Sequence, residues 1–257
     1  MPDDASHNGQ IPTNLRLLLL LEAVVSAGVP ITPSVIGESL GLPKPTVHRL
    51  IQNAVAEGFL QSDIDGRSYG PGPRLRSLAL GTLSSQRVRT ERLRVLGQLA
   101  EEVGETCNIA LPDRDGMVYL DRVETHWPLR IQLPAGSQVP FHCTASGKMY
   151  LSSLYAGKLD RLLKSYPLEK CTDRTLVTAD ALKKELLLTA KRGFATDDQE
   201  FMDGMAAIAV AIRGPQGRLV STLSLHAPIQ RGGLARLQEQ LEPLRAAAGQ
   251  LEELLTE

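Results

Sequence analysis

Near the start of the chain, apolar positions recur three times at helical spacing. Leu17, Leu20, Leu21 and Val24 fall at i, i+3, i+4 and i+7, predicting a helix that opens at Thr13 as N-cap and ends at Gly28-Val29-Pro30. A second, short helix begins with Thr32 as cap and Pro33 in the first turn, where a missing N–H costs nothing, and stops at Gly41. The third spans about residues 44–57: Val47, Leu50, Ile51 and Ala54 form its stripe and Gly58 its stop. Phe59-Leu60-Gln61 and Ser68-Tyr69-Gly70 then read as two short strands around the turn Asp63-Ile64-Asp65-Gly66-Arg67.

Further on the rhythm changes. Helical spacing over residues 74–85 leads to a second stretch at 88–103, and short apolar runs follow that read as strands at 107–111, 118–122, 131–133, 206–213 and 219–226. Helices are expected near residues 146–154 and 178–192. A last helix carries Leu234, Leu237, Leu241, Leu244 and Leu251, with a bend expected at Pro243. Strands and helices without a regular βαβ alternation predict an antiparallel α+β domain. The division expected is an N-terminal tail at 1–12, a winged helix-turn-helix at 13–73, a linker helix at 74–87 and a second domain at 88–257.

A short helix, a turn holding Gly41 and a second helix form a helix-turn-helix, whose second helix enters the DNA major groove. Gly37 is small enough for the two helices to cross closely, with Ile36, Val47 and Leu50 in their shared core. That leaves an outer face bearing Lys44, Thr46, His48, Arg49 and Gln52, with Arg67 at the hairpin tip to reach the backbone or minor groove.

Charge gives this reading little help. The chain has a net charge of -1, so any basic footprint must be local. Between residues 43 and 76 Lys44, Arg49, Arg67, Arg74 and Arg76 outnumber Glu57, Asp63 and Asp65. Apolar content of 42% and charged content of 22% describe an ordinary globular chain. The longest apolar stretch, residues 17–25, is interrupted by Glu22 and is far short of a membrane span, and the polar, acidic start does not resemble a secretory signal. A cytoplasmic location is expected. Three scattered cysteines, Cys107, Cys143 and Cys171, argue against a disulfide framework.

The run His142-Cys143-Thr144-Ala145-Ser146-Gly147-Lys148 leads into a helix, and the free N–H groups of a helix start suit an anionic oxygen. A self-capped helix under a loop accounts for the same residues. Ser146-Gly147-Lys148 is not the end of a phosphate loop, because no glycine stands five residues before Gly147 and Met149 replaces the needed hydroxyl. Residues 70–75 lack the third glycine of a dinucleotide fingerprint, and no GxSxG or HExxH occurs. His142, Cys143 and His226 lack metal-ligand spacing, so no metal and no cofactor are expected. Two other readings stay open: a small-molecule enzyme using Cys143 as nucleophile and His142 as base, and an adaptor whose helix-turn-helix serves only oligomerisation.

GLPKPTVHRLIQNAVAEGFL at 41–60 and DGRSYGPGPRL at 65–75 resemble the DNA-binding domain of the IclR family of bacterial regulators. GETCNIAL at 104–111, VYLDRVE at 118–124, VPFHCTASGKMYLSSL at 139–154 and RGFATDDQEFMDGMAAIAVAI at 192–212 are similar to that family's effector domain, in the same order. The resemblance implies a regulator that binds operator DNA, with a GAF-like antiparallel-sheet domain for a small organic effector, assembled as a homodimer or dimer of dimers. It implies an effector site around Thr144, Ala145 and Ser146, the loop of Asp197, and strands bearing Ala207, Ser224 and His226. In that scheme Ala145 and Ser146 give backbone N–H donors, Asp197 a polar wall and Ser224 a hydroxyl. Three positions depart from the family pattern. Pro45 stands where a serine is usual before the threonine of the recognition helix, Ala207 where a cysteine is common, and His226 where a serine is frequent. The expected effector is a small carboxylate on an aromatic or similarly flat apolar body.

Overall fold

A computed structural model describes residues 11–63, 66–83, 86–125, 127 and 133–255. They fall into two compact units divided between residues 85 and 86.

The first unit runs α1 (Arg16–Ala27), α2 (Pro33–Leu40), α3 (Lys44–Ala56), β1 (Leu60–Ser62), β2 (Tyr69–Pro71) and α4 (Pro73–Leu83). The predicted stripes meet in one core of Leu20, Leu21, Val24, Ile36, Val47, Ile51, Ala54 and Leu60, with Leu50 half-buried at its edge. Fully burying side chains of this size stabilises by roughly 1.5–3 kcal/mol each. Gly37 sits where a Cβ would stand 3.3 Å from the Leu42 carbonyl oxygen and 3.5 Å from Val47, so its small size sets the approach of α2 to α3. β1 and β2 pair antiparallel, and Ile31 adds a bridge to Tyr69 through bonds of 3.1 and 2.9 Å. This is the small sheet of a winged helix-turn-helix.

The second unit begins with α5 (Gln86–Val103) and continues β3 (Thr106–Pro112), β4 (Met117–Val123), β5 (Gln138–Val139), α6 (Ala145–Ser152), α7 (Ala156–Ser165), α8 (Ala179–Arg192), β6 (Ala195–Asp198), β7 (Met205–Arg213), β8 (Leu219–Pro228), α9 (Gly233–Glu239) and α10 (Leu241–Glu253). The six strands form one sheet in the order β5-β4-β3-β8-β7-β6, every adjacent pair antiparallel. Side chains alternate between its two faces. Cys107, Ile109, Ile208, Val210, Ile212, Leu223 and Leu225 point to one side, where they pack on Leu96 and Leu99 of α5, Leu237 of α9 and Leu244 and Leu251 of α10. The other face is covered by α6, which packs on α8.

Several expectations need correction. The first helix opens at Arg16 rather than Thr13; Leu15 is its cap, and its N–H bonds the Pro12 carbonyl at 2.9 Å in a preceding turn. Thr32 occupies the N-cap of α2, but its hydroxyl caps nothing. The last helix is two helices, broken at Gln240 and not bent at Pro243. A proline ring clashes with the carbonyl four residues before it, here Glu239, so α9 must end there while Pro243 sits in the first turn of α10. Asp197 lies on edge strand β6, not in a loop; Ala195-Thr196-Asp197-Asp198 is too polar to read as a strand. Helix α7 was not expected, although Leu159, Leu162 and Leu163 carry its spacing. Of the strand expected at 131–133, residues 131 and 132 lie outside the described residues, as do residues 64 and 65 of the hairpin turn and residues 1–10 of the tail.

Candidate DNA-reading face and effector site

Helix α3 is two-sided. Val47, Ile51 and Ala54 are buried, while Lys44, His48, Arg49 and Gln52 are exposed and Thr46 is half-buried. Arg67 is exposed on the hairpin turn. The helix has no side-chain cap: Pro43, extended at φ -61 and ψ 139, accepts the N–H of Thr46 at 2.9 Å and of Val47 at 3.1 Å. Pro45 has no N–H, which leaves Lys44 to supply the first-turn amide for an anion. Arg74 pairs with Glu57 at 2.9 Å and lies over the Phe59 ring at 4.6 Å, joining the start of α4 to the end of α3.

In the second unit, strand register assembles the other candidate residues. Residues paired directly across antiparallel strands share a face. One row runs Thr106, His226, Ala207, Asp197 and the next Arg122, Asn108, Ser224, Ala209, Ala195. Each row is polar at β3 and β8 and passes over an alanine of β7 before ending on β6, at Asp197 in the first row and Ala195 in the second. Helix α6 lies over that alanine floor, where Ala145 and Met149 pack on Ala195, Ala207 and Ala209. So Ala145, Asp197, Ala207, Ser224 and His226, distant in sequence, stand on one side of the sheet.

The start of α6 is tightly built. The Thr144 hydroxyl donates to the Pro140 carbonyl at 2.7 Å and accepts from the Gly147 N–H at 3.1 Å, so Thr144 is spent on capping. A Cβ on Gly147 would lie 2.2 Å from the Phe141 carbonyl oxygen, which explains the glycine. Ala145 and Ser146, the first two residues of the helix, have no intrahelical acceptor for their N–H groups. The Ser146 hydroxyl is buried and has no partner among the described residues.

On β3, Asn108 is fully buried: its Oδ1 accepts from Arg122 at 3.0 Å, whereas its Nδ2 has no partner among the described residues. Ser224 and His226 face each other at 3.2 Å, and the Tyr119 ring meets His226 edge-on at 6.3 Å. Burial, with the Arg122 guanidinium nearby, pushes the His226 imidazole down to about 3, so it is neutral. Asp197 accepts from the N–H groups of Glu200 at 2.7 Å and Phe201 at 3.3 Å. Burial and the Glu200 carboxylate nonetheless push it up to about 7. Asp197 thus caps the turn after β6 and also stands on the α6 face.

Sequence reasoning missed Asn108, Arg122 and Lys148. Asn108 had a signal, since it alternates with Cys107 and Ile109 and so must point away from the core they enter. Lys148, fully buried, pairs with Glu200. His142 and Cys143 do not form a nucleophile and base: His142 Nε2 donates to the Glu169 carbonyl at 2.8 Å, and burial pushes the Cys143 thiol up. Among the described residues no group of three or more His, Cys, Asp or Glu could hold a metal, and no helix is long and apolar enough to cross a membrane.

Comparison with known proteins gives this geometry its context. The bacterial transcriptional regulator IclR C-terminal model matches residues 80–253, and the IclR helix-turn-helix model matches residues 15–63. The probable transcriptional regulator SauR of Cupriavidus necator is 35% identical over 92% of this chain and 94% of its own. The transcriptional repressor IclR of Escherichia coli is 28% identical over 87% of this chain and 82% of its own. The structure of an IclR homolog from Microbacterium hydrocarbonoxydans, complexed with 4-hydroxybenzoate, superposes with a TM-score of 0.61 at 26% identity, covering 95% of this chain and 99% of that one. With its helix-turn-helix and its antiparallel effector-binding domain, the chain belongs to the IclR family of bacterial transcriptional regulators, and it is a regulator rather than an enzyme.

Proposed function

We propose that α3 and Arg67 bind operator DNA and that the α6 face of the sheet binds a small carboxylate on an aromatic or similarly flat apolar body, which modulates operator binding. One observation carries the effector reading. Two fully enclosed donors, Ser146 Oγ and Asn108 Nδ2, have no partner among the described residues. A buried polar group left unpaired costs about 1–3 kcal/mol, which a ligand acceptor recovers. The carboxylate belongs at the start of α6, where the Ala145 and Ser146 amides and the helix dipole favour an anion. Ala207 and Ala209 present only methyl groups to α6, the least bulk a floor under a flat body can have, and Ser224 and neutral His226 serve a ring substituent. Asp197 takes a hydroxyl or amide, since placing an anion beside it would be costly. The 4-hydroxybenzoate bound by the Microbacterium hydrocarbonoxydans homolog is of this class.

On this reading the protein works in the cytoplasm, with a DNA-binding domain at 13–73, a linker helix at 74–87 and an effector domain at 88–257. It acts as a homodimer or dimer of dimers, because two recognition helices read two half-sites. Titration calorimetry of 4-hydroxybenzoate, other aromatic acids, pyruvate and glyoxylate tests the effector class. Wild type is expected to prefer the aromatic acids, and Ala207→Leu to lose them while still binding DNA. Equal affinity of both proteins for the aromatic acid overturns the use of the alanine floor, and tighter wild-type binding of glyoxylate or pyruvate overturns the ligand class.

A further inference from the structure

Cys143 and Cys171 are 28 residues apart, yet their sulfurs stand 3.8 Å from each other. Cys143 is fully buried and immediately precedes Thr144, the cap of α6; Cys171 is exposed. Cys171 belongs to a strap that binds the effector unit at two places. At one end the Glu169 carbonyl accepts from His142 at 2.8 Å. At the other, the Thr172 hydroxyl bonds the Gln199 carbonyl at 2.7 Å and the Thr175 hydroxyl bonds the Glu200 carbonyl at 2.7 Å. The strap therefore ties the start of α6 to the turn beside Asp197, and the two thiols meet between its anchors.

We propose that Cys143 and Cys171 form an oxidation site, in which a hydroperoxide converts the pair to a disulfide that fastens the strap covalently to the start of α6. The exposed sulfur reacts first. The Cys171 thiolate attacks one peroxide oxygen, the O–O bond breaks, and a sulfenic acid forms as the peroxide is reduced to an alcohol, or to water from hydrogen peroxide. Cys143 then loses its proton, its sulfur attacks the Cys171 sulfur, and the S–O bond breaks with loss of water. Two thiols and one hydroperoxide give one disulfide, one alcohol or water, and one further water. A disulfide needs its sulfurs about 2.0 Å apart, so side-chain rotation and a small shift of the strap suffice. Burial of the Cys143 thiol slows the second step, so closure of the disulfide is slower than the first oxidation at the exposed sulfur. Cys107, buried on the opposite face of the sheet, has no part in it.

The test uses the full-length protein and hydrogen peroxide, with thiols counted in denaturant and the product mapped by proteolysis and mass spectrometry without reductant. Wild type and Cys107→Ser are expected to lose two free thiols, wild type falling from three to one, with a peptide joining Cys143 to Cys171 and full reversal by dithiothreitol. Oxidised wild type should also melt several degrees higher, because the bond restricts the unfolded chain. Cys171→Ser, a surface change, should form no disulfide and keep its melting temperature. Three results overturn the proposal: a stable sulfinic acid on Cys171 beside a free Cys143, a bond involving Cys107 or a second chain, or the same thiol loss in Cys171→Ser.

Discussion

Lys148 and Glu200 form an ion pair in which the lysine side chain has no exposure to solvent. The pair joins α6 to the turn after β6, the turn that Asp197 also holds. Removing one partner strands the other, since Glu200 already has one carboxylate oxygen, Oε2, without a partner among the described residues. Lys148→Met is therefore expected to cost about 3 kcal/mol of stability in urea unfolding near neutral pH. Adding Glu200→Gln should recover much of the loss. By contrast, Arg74→Ala breaks a solvent-exposed pair with Glu57, and the loss of that ion pair contributes less than about 1 kcal/mol. Equal costs for Lys148→Met and Arg74→Ala would show that burial does not govern these pairs.

Asp197 makes stability depend on pH. Burial, then the Glu200 carboxylate, raise it from 3.8 to about 7, so the folded protein holds a proton that the unfolded chain has released. The associated stability is fully present below about pH 4 and is lost as pH rises through about 7. Asparagine keeps an oxygen for the Glu200 and Phe201 amides but cannot titrate. Asp197→Asn is expected to remove up to about 4 kcal/mol of the decline in unfolding free energy between about pH 4 and pH 8. Denaturant unfolding across that range should show parallel wild-type and variant curves if Asp197 does not titrate there.

Two glycines within helices respond oppositely to alanine. A Cβ at Gly147 meets the backbone of Phe141 at 2.2 to 2.6 Å, which only a shift of the chain can relieve, whereas one at Gly97 meets nothing within 4 Å. Gly147→Ala should destabilise by about 2–3 kcal/mol and weaken effector binding. Gly97→Ala, inside α5, should stabilise by roughly 0.5–1 kcal/mol. Thermal unfolding of the two variants separates them by sign.

Arg49 and Arg67 are expected to fail in different ways on an operator recovered by selection from random duplexes. Arg49, exposed on α3, should lose about 1–3 kcal/mol on change to alanine and relax preference at one base position. Arg67→Ala should weaken all sequences alike and reduce the salt slope by about 1, as one lost phosphate contact does. Fluorescence anisotropy over a salt series measures both. A uniform loss in Arg49→Ala would move that residue to the backbone.

What was legible in the sequence follows from the range of the forces involved. Helical stripes such as Val47, Ile51 and Ala54 are local, and the core they predict is the core they form. Short apolar runs likewise announced β7 and β8. The polar edge strand β6 exists because its backbone bonds β7, a long-range pairing that Ala195-Thr196-Asp197-Asp198 does not advertise. Thr32 and Thr144 look alike as caps, but only Thr144 has a hydroxyl in use. The neighbours of Asn108 are set by register with β4 and β8, and Glu200, 52 residues from Lys148, neutralises a lysine that is otherwise an unlikely core residue.

Strand β7 has two sides with separate fates. Ile208, Val210 and Ile212 are fixed by the packing of three helices, while Ala207 and Ala209 on the reverse meet only α6 and its neighbours. The alternation of a strand insulates one set from the other. A larger side chain at Ala207 or Ala209 therefore presses on Ala145 and Met149 of α6, while the helices packed behind the strand keep their contacts. On the proposed effector reading, a lineage carrying this strand changes which molecule it senses by changing the fit of one helix on one sheet face and leaves its architecture alone.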